Sequence, residues 1–282
     1  MGTVVTIGKF DALHMGHVKL IEHVTEYAGG CEPVVCIIDF ATESLYTVDA
    51  KDRLIRGLGV ERIIRLPFTD AFARTEAEDF IRDFLVGELK IERLVVGSDF
   101  RFGYGRRGDV DMLRRAGDVY GFSVDAVDQV IVDDEPVSSS RVRDCIRNGE
   151  VEQAARLLGR VYRVGGSVVG GKQLGRTIGF PTANIIYPAD LIRPRLGVYA
   201  SEVYIDGEVY KGVTNIGTNP TVSDTSDIKF ETHIIDFDRG IYGKEIEVGL
   251  IKYIRGEVKF RGVDELTAQL KHDKQIACDT HL

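Results

Sequence analysis

The 282-residue chain has no tryptophan and only four cysteines, Cys31, Cys36, Cys145 and Cys278. None of them forms a C-x-x-C pair or a metal-ligand spacing, so the sequence offers no zinc ribbon and no disulfide framework; reduced thiols are the expectation. Basic charge is also in deficit, with 36 Lys and Arg against 44 Asp and Glu and a net charge of −8. That balance argues against a general nucleic-acid or membrane-surface binder, while leaving room for a small anion in a locally basic pocket. No apolar run approaches a membrane span, and the N-terminus lacks the layout of a secretory signal. MGTVVT fits a myristoylation pattern through Gly2 and Thr6, but TVVTIG reads better as a buried strand. A cytosolic protein is expected.

Hydrophobic residues make up 44% and charged residues 28% of the chain, enough apolar material for one large domain or two ordinary ones. The first half alternates short β-branched runs (residues 3–7, 34–38, 62–66, 93–96 and 123–127) with helical patterns near 16–27, 50–58, 77–89 and 110–116. This alternation predicts a parallel sheet covered on both faces, which binds ligands at the carboxyl ends of its strands. Further helices are expected after Ser140 and over 151–158. From Tyr162 the texture changes to strand candidates at 163–169, 198–205, 210–216, 230–235 and 245–254, separated by Gly, Pro, Asn and Asp clusters, with a closing helix at 263–276. That spacing predicts an antiparallel barrel or sandwich. The boundary is placed at residue 159–160.

GKFDALHMGH (8–17) sets two histidines three apart where the first strand meets the first helix. An isolated H-x-x-H is usually a surface or packing pair. Here His14 and His17 can share a helix N-terminus, whose unpaired N–H groups and partial positive charge favour an anion. No third ligand spacing suggests zinc. VVGSDFRFGYGRRGD (95–109) mixes aromatics, glycines and arginines after the fourth strand, and VSSSRVR (137–143) places three hydroxyls and two arginines at a helix start. One serine would suffice as a cap, so the cluster favours phosphate. Two decoys are set aside. GYGRRG (103–108) satisfies G-x-G-x-x-G but does not directly join strand to helix, and GSVVGGKQ (166–173) has Gln173 where a P-loop needs a hydroxyl.

In the second half, GRTIGFPTANI (175–185) is the most specific run. Pro181 fixes a backbone angle ahead of Thr182 and Asn184, whose neutral oxygens suit Mg²⁺ when the ligand's phosphates balance its charge. FETHIIDF (230–237) holds one acid, Glu231, in a strand-like run. It either faces solvent by alternation or points inward at a cost that a function would justify.

Together these segments resemble the bacterial bifunctional riboflavin kinase/FMN adenylyltransferases, also called FAD synthetases. The resemblance implies an α/β plus all-β protein: a Rossmann-like nucleotidyltransferase domain over 1–159, then an antiparallel β-barrel kinase domain over 160–282 with a C-terminal helix. It implies riboflavin phosphorylation to FMN by the second domain and FMN adenylylation to FAD, with release of pyrophosphate, by the first. ATP, riboflavin and FMN are the implied small-molecule partners and Mg²⁺ the implied metal. By the same resemblance His14 and His17 hold ATP phosphates, and Gly8, Phe10 and Asp11 shape the adenylate pocket. Ser140 and Arg143 take the pyrophosphate, and Asp99 lies near the flavin. Glu231 is the implied kinase base, Thr182 and Asn184 the metal ligands, Gly171 and Arg176 neighbours of the ATP phosphates, and Arg255 a flavin contact.

The sequence departs from the family in four places. Ala12 stands where a glycine is usual, Lys9 where a threonine, asparagine or similar small residue is usual, and Asn219 where an arginine is usual. CIIDFATESLY (36–46) lacks the F-x-P-H-P loop that lies near the substrates of the first reaction. An alternative reading follows from the missing loop: a riboflavin kinase whose N-terminal domain binds nucleotide or flavin without turnover.

Overall fold

The computed structural model describes residues 2–40, 43–171, 174–218 and 228–280, without the side chains of Leu174 and Arg176. By its contacts the chain forms two compact units, Met1–Thr42 with Val48–Ser139, and Glu43–Thr47 with Ser140–Leu282.

The first unit is an α/β layer structure. Its strands are β1 (Thr3–Gly8), β2 (Glu32–Asp39), β3 (Arg62–Pro67), β4 (Ile91–Gly97) and β5 (Ser123–Val127). They pair in parallel in the order β3-β2-β1-β4-β5, and a short antiparallel hairpin of β6 (Ile131–Val132) and β7 (Glu135–Pro136) follows. Helices α1 (Met15–Glu26), α2 (Val48–Arg56), α3 (Asp70–Ala73), α4 (Ala77–Asp79) and α5 (Val110–Tyr120) connect them. The inner strands β1, β2 and β4 are apolar runs because both faces are covered, whereas the edge strands β3 and β5 are mostly half-buried. Val34 and Cys36 join one core with Leu85, Leu94 and Leu113, while Val35 and Ile37 join another with Leu13, Ile21 and Ile55. The helix expected over 77–89 is present, but beyond Asp79 it widens into π turns over Phe80–Glu88. The Leu89 amide accordingly donates to the Phe84 carbonyl, five residues back, at 2.9 Å.

The strand order reverses direction between β1 and β4. In open parallel sheets ligands bind in the crevice at such a switch point, outside the carboxyl ends of the strands. β1 delivers the GKFDALHMGH segment there, and β4 delivers Ser98 and Asp99.

The second unit begins with α6 (Ser139–Asn148) and α7 (Val151–Leu158), the latter stopped by Gly159 in the left-handed conformation at φ 72°. Next come β8 (Tyr162–Val169), α8 (Leu174–Thr177), β9 (Ala183–Ile186), β10 (Gly197–Ile205), β11 (Glu208–Thr218), β12 (Ile228–Ile234), β13 (Glu245–Arg255) and α9 (Val263–Asp279). Six of these strands close into a barrel in the order β10-β11-β12-β9-β8-β13. The spacing had left barrel and sandwich open; closure settles it by leaving no free sheet edge. β9 was not among the expected strands, because its residues lie in the GFPTANI run and read as a motif rather than as a ladder. The expected division at 159–160 falls after α6 and α7, which by contacts group with the barrel.

Alternation sorts the barrel residues. On β12 Phe230 and Thr232 are fully buried inside, and Glu231 is exposed outside. Buried hydroxyls tie three strands together internally, Ser201 to Thr214 at 2.7 Å and Thr214 to Thr232 at 2.9 Å. Outside, Val198, Ala200 and Val213 are covered by Ala277 and Cys278 of α9.

Candidate functional site

In the first unit, the turn after β1 is held by two apolar anchors in a backbone conformation that side chains rarely adopt. Phe10 and Leu13 have φ of 44° and 45°, yet are 0% and 1% exposed. A left-handed non-glycine residue costs about 1–3 kcal/mol. Burying a Phe or Leu side chain returns about 1.5–3 kcal/mol, so the core holds the turn in place. The strained loop presents His14 as the N-cap of α1, its Nδ1 accepting from the His17 amide at 3.4 Å. With Nδ1 an acceptor, the proton of the neutral ring stands on Nε2. The two imidazoles stack with centroids 3.7 Å apart, and the Phe10 ring lies 5.0 Å from that of His17. Gly16 makes room for this pair, since a Cβ there would sit 3.2 Å from the His14 ring.

Asp11 is also buried, and Lys51 of α2, 7% exposed, is near enough to share its electrostatics. Burial pushes the Lys51 ammonium pKa down, and the Asp11 and Asp39 carboxylates oppose that. Nothing in the sequence pattern marked Lys51; its place on an amphipathic helix reads as solvent-facing. Asp99 is exposed beyond β4, with its Oδ2 accepting from Gln129 Nε2 at 2.9 Å. Gly97 leaves space for this carboxylate, as a Cβ there would lie 2.9 Å from Oδ1. The structure therefore brings Gly8, Phe10, Asp11, His14 and His17 together and sets Asp99 at the neighbouring strand end. Ser140 and Arg143 stand on α6, in the second unit.

The loop at 99–108 is pinned rather than loose. Phe102 and Gly108 bridge, Arg101 pairs with Asp109 at 3.0 Å, and Arg107 lies 3.7 Å from Glu76. At the missing F-x-P-H-P loop, Phe40 stacks on Phe68 at 4.3 Å under the Lys9 ammonium, 4.1 Å from the Phe40 ring. Ala41 and Thr42 lie outside the described residues, and Glu43–Thr47 belong to the second unit. There Ser44 bridges to Leu191, and the Leu45 carbonyl accepts from the Tyr162 hydroxyl at 3.1 Å.

In the barrel, register places Asn215, Glu231 and Asn184 directly opposite one another across β11, β12 and β9. Residues opposed in this way share a face, with Cβ atoms about 4.5–5.5 Å apart. Asn215 and Glu231 line a groove of about 280 Å³ between the barrel wall and α9, closed by Phe180, Phe260, Leu266 and Leu270. Asn184 lines a second cavity of about 470 Å³ with Gly171, Phe237, Arg239 and Tyr242. Thr182 lines both. Of the two readings of Glu231, the outward one holds, but outward here means into a groove.

Gly171 approaches Asn184 so closely that a Cβ would fall 2.4 Å from Asn184 Nδ2. Thr182 and Asn184 supply neutral oxygens beside this backbone, and the described residues contain no cluster of three or more His, Cys, Asp or Glu that could hold a metal alone. Such a donor set fits Mg²⁺ arriving with a polyphosphate that balances its charge. The Arg176 side chain and Asn219 lie outside the described residues. Arg255 does line the groove, but buried Asp273 holds it at 3.1 Å through Nε and 2.7 Å through Nη2, while Nη1 donates to the Gly256 carbonyl at 3.0 Å. Asn215, His233 and Asp273 were missed from sequence; only strand register and the packing of α9 assemble them. His233 donates from Nδ1 to the Pro181 carbonyl at 2.9 Å. Burial holds its pKa below the usual histidine value, and that contact partly offsets the effect.

Comparison with known proteins matches a family model to each half of the chain. The FAD synthetase family model matches residues 1–141 and the riboflavin kinase family model residues 158–281. The bifunctional riboflavin kinase/FMN adenylyltransferase of Escherichia coli K12 is 38% identical, over 98% of this chain and 92% of its own length. That of Listeria monocytogenes is 36% identical, over 96% and 90%. A Streptococcus pneumoniae crystal structure described as a macrolide-efflux protein superimposes with a TM-score of 0.89 at 29% identity, over 99% of this chain and 95% of that one. Efflux is said of that protein; among the described residues here no helix is long and apolar enough to cross a membrane. With both family models matched and full-length relatives above 30% identity, this chain belongs to the bifunctional riboflavin kinase/FMN adenylyltransferase family.

Proposed function

We propose that this enzyme, which couples riboflavin kinase to FMN adenylyltransferase, divides the two steps between residues 160–282 and 1–159. The row Asn215–Glu231–Asn184, running from one cavity into the other, is the observation that carries the kinase assignment. The apolar groove under α9 suits a flavin ring, and the larger cavity suits a nucleotide. Glu231 then accepts the proton of the ribityl 5′-hydroxyl as that oxygen attacks the γ-phosphorus of ATP, and ADP leaves. A neutral alcohol needs such a base, which is typically worth ~10²–10⁴-fold. Thr182 and Asn184 would hold Mg²⁺, which when bound neutralises phosphate charge. Gly171 and Arg176 are assigned to the same phosphates, and Arg255 to the flavin.

The adenylylation step begins from an FMN phosphate oxygen that is already ionised. It attacks the α-phosphorus of ATP, the bond to the β-phosphate breaks, and pyrophosphate leaves. Alignment and charge neutralisation suffice, and His14, His17 and the N-terminal amides of α1 supply donors at the switch point. Gly8, Phe10 and Asp11 shape that pocket and Asp99 lies toward the flavin. Ser140 and Arg143 are assigned to pyrophosphate on family resemblance. The cytosol, where thiols stay reduced, is the proposed location.

The test is direct: supply riboflavin, ATP and Mg²⁺ and resolve the flavins by chromatography. FMN followed by FAD is expected. FMN alone would make the first unit a binding module, and neither product would overturn the reading.

A further inference from the structure

β9 and β12 pair by backbone through Lys229↔Ile186, Phe230↔Ile185, Glu231↔Asn184 and Thr232↔Ala183, and there the ladder stops. Continuing the register would set His233 opposite Thr182 and Ile234 opposite Pro181. Proline has no amide hydrogen to donate, so backbone pairing cannot carry on past this point. A side chain takes over. His233 Nδ1 lies 2.9 Å from the Pro181 carbonyl oxygen, and because a carbonyl can only accept, Nδ1 carries the hydrogen. The Phe180 ring meets the imidazole edge-on at 5.1 Å.

Two features connect this link to the chemistry. His233 stands two residues from Glu231 on the same outer face of β12, and both line the 280 Å³ groove. Pro181 directly precedes Thr182, which lines both cavities. The imidazole therefore ties the segment that presents Thr182 to the strand that presents Glu231, at the place where the sheet itself does not.

We propose that His233 is a positioning residue of the kinase step, clamping the Pro181 carbonyl so that Thr182 keeps its place relative to Glu231. This rests on the assignment of Thr182 and Glu231 to that step. The test uses the full chain, with FMN adenylylation and thermal melting as internal controls. His233→Phe keeps an aromatic ring against Phe180 but removes the donor; His233→Asn keeps a donor at the position of Nδ1. Riboflavin phosphorylation should fall roughly tenfold in kcat in His233→Phe, about what one lost hydrogen bond allows. The melting temperature and FMN-to-FAD conversion should stay unchanged, and the fall in kcat should exceed any change in the KM for riboflavin, whose proposed groove His233 lines. His233→Asn should recover to within about threefold of wild type on the same argument.

Wild-type turnover in His233→Phe, or equal loss in both variants with normal melting, overturns the clamp. Should His233→Phe lose both activities through misfolding, His233→Asn decides alone: near-normal phosphorylation supports the clamp and its loss overturns it. Thr182→Ala measured alongside separates the two levels. Loss there with full activity in His233→Phe removes the clamp alone, whereas full activity in Thr182→Ala removes Thr182 from the site and the clamp with it.

Discussion

In the α/β unit the candidate histidines ride on a turn that two buried left-handed residues, Phe10 and Leu13, hold in shape. In the barrel, Asn215, Glu231 and Asn184 stand on three regular strands and are placed by backbone register. The first device suits a reaction that needs several donors converging on phosphate oxygens, because a turn at a helix start can aim amides and imidazoles at one point. The second suits a reaction that needs one base at a fixed separation from a second substrate, because a closed ladder resists displacement. The two substrates differ correspondingly: one nucleophile is an alcohol that must lose a proton, the other a phosphate that has none to lose.

The sharpest way to break this contrast is to remove the base. Glu231→Gln should lower FMN formation from riboflavin by about 10²–10⁴-fold, with FMN-to-FAD conversion unchanged, both read by flavin chromatography. Retained phosphorylation would take Glu231 out of its role and leave the barrel row as polar side chains that only face water. A smaller effect is expected on the other side. His17→Ala should reduce adenylylation by about 10²-fold, the scale of one lost transition-state donor, and leave phosphorylation intact. Loss of both steps, or a collapsed melting transition, would mean that the stacked His14–His17 pair holds the turn rather than the phosphates.

How each unit could be read from its sequence follows from the same difference. Parallel strands buried on both faces announce themselves as apolar runs, and all five strand runs of the first half, the half-buried edge strands included, lie within about two residues of the observed strands. The strand-to-helix position of His14 and His17 was legible because capping and phosphate chemistry are local. The barrel site was legible in its motif residues, Thr182, Asn184 and Glu231, and, through the family resemblance, in Gly171 and Arg255. Asn215 and His233 depend on which residue faces which across a ladder, and one sequence does not state that register. β9 was hidden because Pro181 punctuates the run that forms it, although the proline lies just outside the strand. The groove wall was hidden for another reason: Leu266 and Leu270 of α9 and Asp273 meet the barrel from far along the chain.

The smallest effect should come from the pair that secures that wall. Asp273 is fully buried on α9 and accepts from Arg255 and, at 2.8 Å, from Gln269 Nε2, whereas the Arg255 side chain keeps 19% of its exposure. Breaking a wholly buried ion pair costs about 3–5 kcal/mol because a charge is left stranded. Here water reaches the guanidinium, so Asp273→Asn should cost less, about 1–3 kcal/mol, and lower the melting temperature by several degrees. If the pair also sets the groove, the KM for riboflavin should rise a few-fold while kcat and adenylylation hold. An unchanged KM with a lowered melting temperature would confine Asp273 to fastening α9. The groove proposed for the flavin would then owe its shape to Leu266, Leu270 and the barrel wall, and the contrast between a turn held by side chains and a site held by register would stand on the strands alone.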